Sequence, residues 1–295
     1  MLARLQRATT IGLLVLAALW AALAWRAGHA AWALGGALFI VFSYALVLAI
    51  EFALMRFIHR DDAAPRATAA QLFRAWCGEV VSAPLVFCWR QPFRSQRWPD
   101  QLPQTPGRRG VLMVHGFVCN RGIWNPWLER LHGRGQPFVA VNLESVFGSI
   151  DDYAQLIDEG ALCLTRATGL APVIVAHSMG GLAVRQWWSE RANANVHHVI
   201  TIGTPHHGTW LARFALTLNG RQMRRESEWL CTMREREPEG RARHFTCFYS
   251  HCDNIVFPPS TATLVGADNR HLTGVAHVHM VSRPEPWQEA LRWLS

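Results

Sequence analysis

The sequence predicts an α/β domain, a mostly parallel sheet flanked by helices, preceded by an N-terminal two-helix transmembrane hairpin. Three observations carry that prediction. From Gly110 onward, short β-branched runs alternate with longer helical patterns. Before residue 60 stand two long, uncharged, apolar stretches. Half of the 295 residues are hydrophobic and only 17% are charged, an apolar bias that membrane segments and a heavily buried sheet both produce.

The N-terminal stretches come first. Ala8 to Trp25 supplies 18 uncharged, mostly apolar positions and Ala30 to Ile50 supplies 21. Each approaches the length that crosses about 30 Å of hydrocarbon as a helix. Trp25 and Trp32 border the short Arg26 to His29 connection, where amphipathic indoles favour a membrane interface. Arg4 and Arg7 precede the first span, while Arg56, Arg60 and Arg66 follow the second. The positive-inside bias therefore puts both flanks, and the rest of the chain, on the cytoplasmic side of a bacterial inner membrane. A cleaved signal peptide ending near Gly28-His29-Ala30 is the rival reading, and the second stretch would then still carry the chain back inward. Residues 1–60 are read as the anchor.

Residues 61–107 change character. Leu72, Phe73, Trp76 and Val80 recur at helical spacing within Ala67 to Val86, the pattern of one amphipathic helix. Pro92 to Arg109, with Pro99, Pro103, Pro106 and several arginines, reads as a linker or an irregular lead-in.

Residues 108–295 form the α/β domain. Val111 to His115, Phe138 to Asn142, Val173 to His177, His198 to Ile202 and Phe245 to Tyr249 are predicted strands. Trp124 to Leu131, Asp152 to Thr168, Gly180 to Arg191 and Glu285 to Leu294 are predicted helices. Such alternation implies a parallel sheet covered on both faces, with ligands bound beyond the carboxyl ends of the strands.

Ser178 falls where the strand Val173 to His177 turns into a helix, with Ala176 two residues before it and Gly180 two after. Small residues at those positions allow a corner sharp enough to lift a serine hydroxyl above the sheet. The Met179 amide, at the helix start, is then placed to meet an oxygen bound over the serine. A nucleophilic serine needs a base, and the base an orienting carboxylate. Asp253 follows the strand Phe245 to Tyr249, and His277 follows the small residues Gly274 to Ala276, giving the chain order Ser, Asp, His. His279, His271 and His251 compete as bases, and Asp268 as the acid. After the first strand, His115-Gly116 makes a corner from which the Phe117 amide can meet the same oxygen as Met179.

With these parts in order, the segment from about Arg108 to Pro284 resembles the α/β-hydrolase superfamily, most closely its bacterial lipase and carboxylesterase branch. Val-His-Gly-Phe at 114–117 is similar to that branch's oxyanion motif, and Ala-His-Ser-Met-Gly-Gly at 176–181 to its nucleophile elbow. Gly-Thr-Pro-His-His-Gly-Thr at 203–209 is similar to the segment that follows the next strand in lipases. The resemblance implies that Ser178 is the nucleophile, His277 the base and Asp253 the acid, with the Phe117 and Met179 amides holding the oxyanion. It implies hydrolysis of an ester or lipid substrate through an acyl-enzyme, with no cofactor and no metal. Ala176 stands where the stricter motif has glycine. A thioesterase or acyltransferase would use the same residues, and a non-catalytic membrane-anchored binding protein would need none of them.

Residues 209–243 carry Trp210, Phe214, Leu218, Met223 and Trp229, and the expectation is a helical lid lining an acyl pocket. The formal charge of +8 comes from 29 arginines and no lysine. They are scattered and accompany no nucleic-acid motif, so they point to lipid headgroups before nucleic acid. The seven cysteines show no CxxC spacing and read as free thiols in a reducing compartment. His206 and His207 read as loop residues, since no metal-ligand pattern surrounds them. Protein partners leave no signature.

Overall fold

The computed structural model describes residues 1–59, 62–102, 106–191 and 193–295. Arg60 and Pro103, used above in reading the flank and the linker, lie outside them. The first apolar stretch forms one helix, α1 (Leu2–Arg26), whose 25 residues reach about 37 Å at the usual helical rise. Its start is tied down: the Gln6 amide group donates to Gln91 Oε1 at 2.8 Å and to the Val118 carbonyl at 3.3 Å, and Arg7 donates to the Pro92 carbonyl at 2.8 Å.

The second stretch is broken. Helix α2 (Ala30–Phe42) stops at Ser43, and α3 (Tyr44–Ile58) departs from it at 49°. The Ser43 hydroxyl donates back to the Ile40 carbonyl at 3.3 Å, a side-chain intrusion of the kind that bends helices. The continuous span expected over Ala30 to Ile50 is thus two helices. Helix α2 packs along α1, the Trp20 indole donating to the Trp32 carbonyl at 2.8 Å. Helix α3 instead buries Phe52 and Met55 against Cys252, Phe257 and Ala276 of the α/β domain.

Helix α4 (Ala69–Pro84) opens on a reciprocal cap, Thr68 Oγ1 accepting from the Gln71 amide at 3.2 Å and Gln71 Oε1 from the Thr68 amide at 2.8 Å. The helix does not give way to a linker at Pro92. It continues through a π turn at Leu85–Arg90 into α5 (Gln91–Arg94). The π turn begins directly after Pro84, and Pro92 is the second residue of α5; neither proline has an amide hydrogen to donate. Among the described residues, α1 and the α4–α5 run are each long and apolar enough to cross a membrane, and the bent α2–α3 pair would make a third span.

The α/β domain follows in alternation: β1 (Val111–Val114), α6 (Asn125–Gly133), β2 (Phe138–Ala140), α7 (Ala154–Thr168), β3 (Val173–His177), α8 (Met179–Glu190) and β4 (His198–Ile202). Then come α9 (Leu218–Gln222), α10 (Glu228–Arg236), β5 (Phe245–Tyr249), β6 (Asp268–His271) and α11 (Pro284–Leu294). The strand order is β2-β1-β3-β4-β5-β6, and every neighbouring pair is parallel. Alternate strand residues feed two apolar layers. Leu112, Val114, Ile174 and Ala176 pack with α7 and α8, while Val111, Met113, Val173 and Val175 pack with α6 and α11. The strand order reverses between β1 and β3, so the loops leaving those two strands open into one crevice.

Candidate active site

Ser178 occupies the corner between β3 and α8 with φ 54° and ψ −131°, a region that residues other than glycine seldom enter. Its amide donates to the Ile202 carbonyl at 2.9 Å, and its own carbonyl accepts from Thr204 Oγ1 at 2.9 Å, so both neighbouring segments hold the strained turn. A side chain at Gly180 would place its Cβ 2.5 Å from the His115 carbonyl oxygen, which is why the corner demands glycine there.

Asp253 and His277 meet as expected. His277 Nδ1 lies 2.9 Å from Asp253 Oδ2, with both groups buried. Asp253 Oδ1 accepts from the amides of Ile255 and Val256 at 2.9 and 2.8 Å, which fixes the carboxylate as an acceptor toward the ring. Burial opposes a charged imidazole, but the field and hydrogen bond of Asp253, helped by Glu79 and Glu51, prevail and raise the His277 pKa above its ordinary 6.5. Gly203 at φ 58° floors the pair: a Cβ there would lie 3.1 Å from His277 Nδ1. The rival groups are engaged elsewhere. Asp268 pairs with Arg270 at 2.6 Å, the ring of His251 lies 4.5 Å from that of His271, and His279 packs on α4 at Gly78.

Ser178 and His277 line the same cleft, of 380 Å³. Among the described residues, the His277 ring is hydrogen-bonded to Asp253 and not to Ser178 Oγ. The corner after β1 abuts the serine, since a Cβ on Gly116 would stand 2.7 Å from Ser178 Cβ. That corner is itself braced by His115, whose Nε2 accepts from the Leu143 amide at 2.9 Å and whose Nδ1 lies 2.9 Å from the Gly116 carbonyl. Burial pushes the His115 pKa down to about 4, so the ring is neutral with its proton on Nδ1. Phe117 lies on the cleft wall, and Met179 begins α8, where an amide has no partner inside the helix.

The roof of the cleft comes from the N-terminal helices. Residues 209–243 contribute nothing to its lining; Tyr44, Glu51, Glu79 and Phe87, from α3 and the α4–α5 run, do. Only the start of the insertion meets the roof, Trp210 and Leu211 packing on the cluster of Phe52, Ala75 and Phe257; the rest lies elsewhere. Met223, Leu230 and Met233 are buried in the layer over α7 and α8, and the Trp229 indole donates to Asp151 at 2.9 Å.

Two residues of the site went unread in the sequence. Glu79 is 1% exposed and accepts the amides of Val278 and His279, both at 3.0 Å. Glu51 accepts from Asn254 Nδ2 at 2.7 Å, and Asn254 Oδ1 accepts the His277 amide at 3.2 Å. Both carboxylates thus hold the chain on either side of the His277 ring. A signal existed: Glu51 is the only acid in residues 1–60, and Glu79 the only one in residues 63–99. A lone carboxylate in such apolar surroundings marks a functional position. His206, by contrast, lies under Arg185, which donates to its carbonyl at 2.9 Å and pairs with Glu237 at 2.6 Å. Burial and the Arg185 charge hold the His206 ring neutral. No cluster of three metal-ligating side chains occurs among the described residues.

A sequence model described as the alpha/beta hydrolase family matches residues 111–294. Comparison with curated proteins gives no match. Among solved structures, the mature form of a lipase from Bacillus licheniformis superposes with a TM-score of 0.56 at 16% identity, over 65% of this chain and 94% of that one. Lipase B of Aspergillus fumigatus superposes with a TM-score of 0.54 at 20% identity, over 66% of this chain and 55% of that one. At such identities the likeness is one of fold.

Proposed function

The chain belongs to the alpha/beta hydrolase family, and from that premise we propose that it is a membrane-held serine hydrolase of carboxylic esters. One observation carries the reading: the buried Asp253–His277 pair shares a cleft with a serine held in a strained turn. In the proposed reaction Ser178 Oγ attacks the ester carbonyl carbon while His277 Nε2 takes the hydroxyl proton. Asp253 keeps the other ring proton on Nδ1 and offsets the charge that forms on the imidazole. The carbonyl oxygen becomes an oxyanion between the Phe117 and Met179 amides. Its collapse breaks the bond to the alkoxy oxygen, which leaves with the proton from His277 as an alcohol. Water then gives a proton to His277 and attacks the acyl-enzyme, releasing the carboxylic acid and restoring Ser178.

The test is hydrolysis of p-nitrophenyl esters from acetate to palmitate by the full chain and by Ser178→Ala. The expected loss is at least about a thousandfold. Equal rates for the two proteins would remove the serine from the chemistry. The domain is placed on the cytoplasmic side of a bacterial inner membrane, supported by Arg4 and Arg7 at the domain end of α1. Reporter fusions at the C-terminus, active only in the cytoplasm or only outside it, decide the side.

A further inference from the structure

We propose that the acyl chain of the substrate lies in a groove built by the N-terminal helices, so that the enzyme takes long, unbranched acyl esters directly from the bilayer. The inference rests on the ester-hydrolase reading above and adds the substrate class and its binding site.

Beside the cleft that holds Ser178 and His277 is a second space of 380 Å³, open along one side and lined by Leu13 of α1, Ile40 and Val41 of α2, and Phe87. The two spaces have Tyr44, Ala83 and Phe87 in common as walls. In the proposed pose a ligand whose carbonyl is at Ser178 passes these three side chains and extends away from the sheet. Each volume falls within the roughly 300–1,000 Å³ typical of small-molecule sites.

The chemistry of the second space selects its occupant. No charged side chain lines it. Its three hydroxyls are already engaged with backbone carbonyls: Thr10 Oγ1 donates to Gln6 at 2.8 Å, Tyr44 Oη to Val80 at 2.8 Å, and Ser43 Oγ to Ile40 at 3.3 Å. Only the Cys88 thiol, a weak donor, is left among its polar side-chain groups. A polar ligand would lose its water there and find no replacement, whereas a hydrocarbon chain loses nothing. The open side of the groove carries exposed Leu14 and Phe42, on helices apolar enough to contact lipid. An acyl chain can thus slide in from the bilayer without passing through water.

The test uses Leu14→Trp and Val41→Trp in the full-length protein, purified in detergent, with p-nitrophenyl butyrate and palmitate as substrates. Neither position touches Ser178, Asp253 or His277. The expected result is a loss of kcat/KM on palmitate about tenfold or more greater than the loss on butyrate, the size set by a few excluded methylenes. Equal changes on both esters, or none, would overturn the groove while leaving the hydrolase reading intact. Absence of any Ser178-dependent hydrolysis by the parent protein would instead overturn the hydrolase reading and the groove with it. A second measurement does not depend on turnover: a palmitic acid carrying a terminal diazirine is photolysed with Ser178→Ala and the adducts are mapped. Adducts on Leu13, Ile40 or Val41 that unlabelled palmitate displaces support the groove. Adducts confined to residues 209–243, or spread without displacement over the outer face of α1, refute it.

Discussion

Residues 209–243 and the helices α3 and α4 are both helical, both rich in large apolar side chains and both docked beside the sheet, yet only the second pair reaches Ser178. The insertion leaves the sheet after β4 and settles over α7 and α8, burying Met223, Leu230 and Met233 there. Helices α3 and α4 arrive from the other direction and close over the carboxyl ends of the strands, with Phe52 and Ala75 packed on Cys252 and Phe257. The difference teaches that a roof is identified by what it touches. Apolar content is shared by both regions, whereas Glu79, bonded to the amides after His277, and Glu51, bonded to Asn254, belong to one.

The comparison can be broken most sharply by truncating one buried side chain in each region. Phe52→Ala and Leu230→Ala should each lower unfolding free energy by about 3 kcal/mol, measured by denaturant titration in detergent. Only Phe52→Ala should also lower the kcat/KM of the folded protein, because α3 carries Glu51 to Asn254 and thence to the His277 amide. Equal kcat/KM losses in both variants would make the two regions equivalent roofs.

A smaller effect sharpens the contrast. In the proposed reaction His277 must be neutral to accept the Ser178 proton, so activity would rise with pH through its pKa, which the surrounding carboxylates raise above 6.5. Replacing Glu79 by Gln removes one of those carboxylates while keeping an acceptor for one of its two backbone amides. The acidic limb of kcat/KM should therefore move to lower pH in Glu79→Gln, with the plateau lowered as well, since one of the two amides beside His277 loses its acceptor. The equivalent substitution in the insertion, Glu228→Gln, should leave the limb where it is. A Glu79→Gln limb coincident with the parent's would separate the carboxylate from His277.

Much of this was legible in advance, for reasons that can be named. Strands β1 to β5 are short runs with β-branched or aromatic residues, buried along nearly their whole length, and such strands announce themselves by composition. Strand β6 does not: Asp268-Asn-Arg-His is polar because it is the sheet edge, half exposed, with Arg270 tied to Asp268 and Glu289 at 2.6 and 2.7 Å. The elbow at Ser178 and the meeting of Asp253 with His277 were visible as motif and chain order. The bend at Ser43 was hidden, since one serine in an apolar run does not disclose which way its hydroxyl turns. The roof was hidden for a related reason: periodicity at Leu72, Phe73 and Trp76 gives α4 a face but not the partner of that face. Glu51 and Glu79 could have been found, each standing alone in an apolar helix.

The backbone of Ser178 sets chemistry and folding against each other at a single residue. Holding an L-amino acid at φ 54° and ψ −131° costs on the order of 1–3 kcal/mol, which glycine would not incur. The most stable residue for that position is thus one with no hydroxyl at all. On the proposed reading, sequence changes that improve the fold there eliminate the nucleophile, so the serine is a point of conformational tension that the surrounding packing must continuously contain.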